Sequence, residues 1–313
     1  MYKLNLPPVL TLLLFGLLVL NSCKKDTSTT ANNGTSAADS NTFSAAIDGL
    51  SSDASAAAGQ VSGFAGKTAN WAPVLACLNA VADSGNGQTI TISYNGAASC
   101  DGLYRSGTVT VTLAGGTLWS NAGSQLNVTI TNMKITTLLG SSYTLNGTYT
   151  ITNETGGLAW EIVAGVTQNA TARHKVTSSN VSITFSDGTQ RTWNVNRSTS
   201  YTSVVSGSKN TITVSIFSEN PTNAGQDTWG TNRYGQSFTT TIADTISSNN
   251  NLNCEYRPFT GQYVYHLGSV YATITFGTNS AGASEGSPTT CAPGFYLTYT
   301  NGTANEAEFI AYW

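Results

Sequence analysis

From residue 88 onward apolar and polar residues alternate with a period of two, the spacing that places successive side chains on opposite faces of a strand. Thr89–Tyr94, Gly107–Ala114, Ser124–Thr131, Tyr143–Asn153 and Leu158–Ala164 are β-branched or aromatic runs bounded by Gly, Asn and Ser. Val181–Phe185 and Gln190–Asn196 flank Ser186-Asp187-Gly188-Thr189 and predict a hairpin, because Asp-Gly accepts the positive φ of a tight turn. Tyr201–Val205 and Thr211–Phe217 predict a second. Ser237–Ile242, Gln262–Leu267, Val270–Phe276, Phe295–Thr300 and Glu308–Tyr312 continue the series. Short, evenly punctuated strands with no long helical pattern between them predict an all-β body, either an antiparallel β-sandwich or a strongly curled sheet. Its dry face is expected to hold Ile92, Val109, Val111, Ile130, Ile151, Ile183, Trp193, Ile212, Val214, Phe238, Ile274 and Tyr299.

Ahead of the strands the period changes. Phe43, Ile47, Leu50, Ala54, Ala57, Ala58 and Val61 fall at helical spacing, which predicts one short amphipathic helix over 41–62 whose narrow stripe lies on a sheet. Residues 23–40 are small and polar and read as a flexible tether, and 71–313 as the β body. At the N-terminus Lys3 precedes an apolar run from Val9 to Leu20, too short to span about 30 Å of hydrocarbon but of the length of a signal-peptide core. Leu20-Asn21-Ser22-Cys23 resembles the bacterial lipobox, which would make 1–22 a signal peptide and Cys23 the acylated terminus. Several acyl chains on one residue suffice for stable membrane attachment. Lys24 is not the Asp that typically holds lipoproteins at the inner membrane, so the resemblance implies an outer-membrane address, on the surface or the periplasmic face.

With Cys23 set aside, Cys77, Cys100, Cys254 and Cys291 remain, an even number that reads as disulfides in an exported chain. Four Cys allow three connectivities. Two stretches, near 77–153 and 254–313, both read Cys, strand, turn, Cys, strand, and this likeness between two related halves points to Cys77–Cys100 and Cys254–Cys291.

Composition narrows the function classes. Only 9% of the 313 residues are charged and the net charge is -3, so the basic field of a nucleic-acid binder is missing. Two His without metal spacing give no basis for a metal centre, and nothing calls for a cofactor. Cys100-Asp101-Gly102-Leu103-Tyr104-Arg105-Ser106-Gly107, Asn146–Asn153, Thr231-Asn232-Arg233-Tyr234-Gly235 and Ala272–Gly277, together with the lipobox, resemble a family of uncharacterised Bacteroidota lipoproteins. That resemblance implies address and architecture and carries no activity.

Catalytic strings have ordinary readings. Gly282-Ala283-Ser284-Glu285-Gly286 matches a nucleophile elbow, but no helix pattern follows it and no His lies beyond it, so a turn is expected. Ser206-Gly207-Ser208-Lys209 falls in a hairpin. His174 and His266 are isolated, and Glu154, Glu161, Asp187 and Asp227 are the acids from which a glycosidase pair would be drawn. Asp101 and Arg105 read as a surface ion pair or a calcium-lined loop. Aromatics are the stronger lead. Trp119, Trp160, Trp193, Trp229, Trp313, Tyr234, Tyr263, Tyr265 and Tyr271 are numerous for a chain so poor in charge, and flat rings beside neutral hydroxyls and amides suit sugars. Trp119, Trp229 and Tyr234 are the candidate ligand contacts. The expectation is a lipid-anchored outer-membrane β-protein, joined to the membrane through Cys23, that binds a glycan or other envelope component or serves envelope structure. A glycan hydrolase with a hidden carboxylate pair, or a fimbrial subunit, is the alternative.

Overall fold

The computed structural model describes residues 28–66, 80–83, 89–98, 103–114, 118–137, 140–220, 223–250, 257–300 and 305–312. Two helices come first, α1 (Ser28–Ala58) and α2 (Ser62–Ala65). The strands follow: β1 (Ala80–Asp83), β2 (Thr89–Ala98), β3 (Tyr104–Leu113), β4 (Ser124–Thr136) and β5 (Ser142–Asn153). A short helix α3 (Ala159–Val163) precedes β6 (Thr171–Phe185), β7 (Gln190–Ser206), β8 (Lys209–Phe217), β9 (Gln226–Thr231) and β10 (Ser237–Asn249). The chain ends with β11 (Thr260–Leu267), β12 (Val270–Thr278), β13 (Gly294–Thr300) and β14 (Asn305–Ala311). All fourteen strands belong to one antiparallel sheet in nearly sequential order, with β1 and β14 at its edges.

The order breaks once. The lower part of β7, Ser198–Ser206, pairs with β8, whereas Trp193–Val195 pairs with β9. β10 bridges the two, meeting β9 through Ser237–Thr241 and β8 through Ile246–Asn249, with register shifts in between. A seam therefore crosses the wall at Asn196 and Arg197.

The sheet curls around α1. Side chains from β2, β5, β6, β7 and the β9–β10 turn all reach this one helix, which is only about 10–12 Å across with its side chains. The expected stripe, Phe43 to Val61, is buried, but so are Ser36, Ser40, Asn41, Ser44, Asp48, Ser51, Asp53 and Ser55. The helix is thus an enclosed post rather than a surface element resting on a sheet. It also begins at Ser28, inside the segment read as a tether. Residues that are individually small and polar read as a linker, yet they allow a sheet to close in on a helix from every side. The expected dry face is buried throughout except for Tyr299, which is half-buried against the core.

Leu158–Ala164, expected as a strand, forms α3 instead. Gly156 and Gly157, both at positive φ, reverse the chain after β5, and Ala159 and Ile162 then bury one helical face against Ala172. The hairpin at Asp187-Gly188 forms as expected, with Gly188 at φ +82°.

Candidate functional site

Polar groups fill the space between post and wall, and their chemistry is built from the helix outward. Asp48 of α1, Arg197 of β7 and Asp227 of β9 meet at the seam. Arg197 Nε donates to Asp227 Oδ1 at 2.7 Å, Nη2 donates to Oδ2 of the same carboxylate, and Nη1 donates to Asp48 Oδ2. This fork ties the start of β9 to β7 where β8 has left, and fastens the post to both. Burial works against the Arg197 charge, but Asp227 and Asp48 outweigh it and hold the guanidinium ionised. Burial pushes the Asp48 carboxyl up to about 6, with Arg197 opposing and Asp227 adding. Thr240 Oγ1 donates to Asp227 Oδ2 at 3.4 Å and accepts from the Thr228 amide at 2.9 Å.

Along the post the other contacts follow in order. Asn232 Nδ2 donates to Ser36 Oγ at 2.9 Å, and Arg233 clasps Asp39 with bonds of 2.7 and 2.6 Å while lying over the Phe185 ring. Tyr143 OH donates to the Thr42 carbonyl at 2.9 Å, and Tyr94 OH to Asp53 Oδ2 at 2.6 Å. At the far end Trp119 Nε1 donates to Ser55 Oγ at 3.3 Å, and the Ser55 hydroxyl is hydrogen-bonded to His174 Nδ1 at 3.4 Å. Burial pushes His174 down to about 4, so the ring is neutral. A Ser beside a neutral imidazole has the parts of an activated nucleophile. Here both are buried, with Trp119 and Tyr201 flanking the ring at 5.0 and 5.9 Å, and the pair serves packing.

The candidate acids do not converge. Asp227 is sealed at the seam, Glu154 pairs with Arg173 on the surface, Glu161 accepts from Thr167 beside α3, and Asp187 lies in the β6–β7 turn. Ser284 sits in a turn joined to Thr278 by a single bridge. Arg105, expected on the surface, is 2% exposed and belongs to the interior, and Asp101 lies outside the described residues. Cys23, Cys77, Cys100 and Cys254 also lie outside them, and Cys291 is disulfide-bonded.

Of the three expected ligand contacts, Trp119 is corrected. It is fully buried against Ser55 and the core, so no ring face is left for a ligand. Trp229 and Tyr234 lie on one hairpin, and Tyr234 is 43% exposed in its turn. The register then adds what the sequence left scattered. Asn194, Trp229, Thr239, His266, Tyr271 and Thr300 are opposite one another in turn across six strands. Their neighbours Trp193, Phe238, Tyr265 and Ala272 point into the core, so this row faces outward. His266 and Tyr271 are exposed and their rings are 6.2 Å apart, while Trp229 is half-buried. The next outward row, Thr241, Val264, Thr273 and Thr298, carries no charge. His266 was missed because an isolated His has no local signature. The Gly268-Ser269 turn that sets it opposite Tyr271 was the available signal. Among the described residues no group of three or more His, Cys, Asp or Glu is placed to hold a metal. No family model, no curated protein and no solved structure matches this chain.

Proposed function

We propose that this chain is a lipid-anchored outer-membrane protein, similar to the Bacteroidota lipoproteins its motifs resemble, which binds a neutral glycan on the outside of its β wall. The observation that carries the binding role is the outward row Trp229, His266 and Tyr271. Its rings offer flat apolar platforms, and Asn194, Thr239 and Thr300 beside them offer uncharged donors and acceptors, the two surfaces a sugar presents. The row runs across the strands at about 4.8 Å per strand, a geometry suited to an extended polymer rather than a single ring. Acylation of Cys23 after removal of 1–22 supplies the anchor, and pairing of Cys254 with Cys291 tethers the loop ahead of β13.

A glycan array probed with the chain from residue 24 tests the binding role. Trp229→Ala with Tyr271→Ala is expected to abolish signal on the polymers the wild type retains, each ring contributing about 0.5–1.5 kcal/mol, or roughly two- to tenfold. Wild-type protein that binds no neutral polymer, or a double variant that binds as well, defeats the proposal.

A further inference from the structure

The order of contacts along α1 fixes which end of the wall holds its N-terminal end. Ser36, Asp39 and Thr42 meet Asn232, Arg233 and Tyr143 at one end, and Ser55 meets His174 and Trp119 at the other. The N-terminal end of α1 therefore lies at the end carrying the turns Ser186–Thr189, Asn232–Gln236 and Gly268–Ser269. Two exposed tyrosines stand on that rim, and Tyr271 of the outward row lies one residue pair in from the Gly268–Ser269 turn. Tyr234 projects from the β9–β10 turn, and Tyr104, 37% exposed, opens β3 opposite Thr136. At the opposite end the exposed large hydrophobics are aliphatic: Val166 beyond α3 and Val204 on the β7–β8 hairpin.

We infer that the tyrosine-bearing rim rests on the lipid surface, holding the wall upright on the membrane. This rests on the reading of Cys23 as the acylated residue. Cys23 lies five positions before Ser28, about 17 Å even when extended. Ser28 lies eight helical steps before Ser36, about 12 Å. The rim therefore stays within about 30 Å of the acyl attachment, because most of the segment that could have served as a long spacer is helix. Tyrosine has an apolar ring and a polar tip, which places it at the boundary between headgroups and acyl chains. Two of these, one at the start of β3 and one in the β9–β10 turn, act as separate feet. With the strands standing on the membrane, a polymer on the outward row lies parallel to the bilayer.

The test uses the full lipidated chain in vesicles of phosphatidylethanolamine and phosphatidylglycerol, compared by hydrogen exchange with the Cys23→Ser chain in solution. Amides of 186–189 and 232–236 are expected to exchange at least about tenfold more slowly on vesicles, and those of 206–209 equally in both. Tyr104→Ser with Tyr234→Ser should still float with the vesicles but lose the rim protection. Vesicle-bound wild type with no change at the rim, or with protection at 206–209 instead, overturns the seat while leaving the anchor standing. Lipidated protein that fails to float overturns the anchor and the seat together.

Discussion

The two sides of the wall meet the same helix in different ways. The backbone of α1 lies against β2, β3 and β4, where Ile90, Ile92, Val109, Val111, Leu126 and Val128 are all 0% exposed. On the opposite side Tyr263, Tyr265, Ile274, Phe276, Phe295 and Leu297 are 4–6% exposed. The post is off-centre. Elsewhere long side chains make the contact: Phe43 of the helix meets Trp193 with ring centroids 4.9 Å apart, Trp193 meets Phe238 at 4.8 Å, and Arg197 reaches Asp48. The outer faces differ as well. The near wall carries rows of threonine, Thr91, Thr110, Thr129 and Thr148 in one and Thr89, Thr112, Asn127 and Thr150 in the next. The far wall carries Trp229, His266 and Tyr271. The outer face of the near wall is thus threonine-rich, and that of the far wall carries aromatic rings.

The sharpest way to break this contrast is at the seam joining the two sides. Arg197→Met leaves Asp48 and Asp227 buried without their cation and is expected to cost about 3–5 kcal/mol, read as a fall in the urea midpoint. The far wall should loosen first, with exchange in β9 rising before that in β3. Truncation then compares the two interiors. Ile92→Ala and Ile274→Ala each remove the same atoms, within a range of about 2–5 kcal/mol. The near-wall variant is expected to cost more, because a backbone-close helix cannot move in to fill the cavity. Equal losses would mean that the post is centred.

Acid acts with opposite sign on two groups buried around the post, Asp48 of α1 and His174 of β6. Asp48 binds its proton more tightly folded, near 6, than at its ordinary 3.8, so it adds stability as pH falls through that window. His174, held near 4 against an ordinary 6.5, removes stability as pH falls through its own window. The two oppose each other between about pH 4 and 6. Asp48→Asn should expose the loss from His174 as a steeper acid decline, and His174→Gln should leave stability rising toward pH 4. Melting temperatures at pH 4, 5, 6 and 7 decide it, and parallel curves for all three proteins refute the assignment. The smallest effect belongs outside: Thr110→Val with Thr129→Val should leave polymer retention on the array unchanged, in contrast to the far-wall rings.

Much of the wall was readable before the fold. Period-two alternation marked most strands, and Asp187-Gly188 marked its hairpin, because strand faces and tight turns are set by residues close in sequence. Thr171–Asn180 and Arg197–Ser200 were harder, since β6 and β7 run on through bulged or polar stretches where a local reading sees a gap. The paired-unit likeness between 77–153 and 254–313 shows how far such reading reaches. β3 begins at the helix N-terminal end, whereas β13 begins at the opposite end. Similar strings thus occupy different places in the wall.

Local order of apolar, polar and turn-forming residues determined an antiparallel sheet, its hairpins and most of its buried positions, because backbone preference and face alternation act over a few residues. It also marked Phe43 to Val61 as the apolar side of a helix. Only the tertiary structure decided that the polar side of that helix would be buried too, since Asp48, Asp53 and Ser36 look solvent-bound until Arg197, Tyr94 and Asn232 arrive from far along the chain to pair with them. The same holds outside: Trp229, His266 and Tyr271 form one row only through the pairing of β9, β10, β11 and β12, and cross-strand register is a property of the assembled sheet.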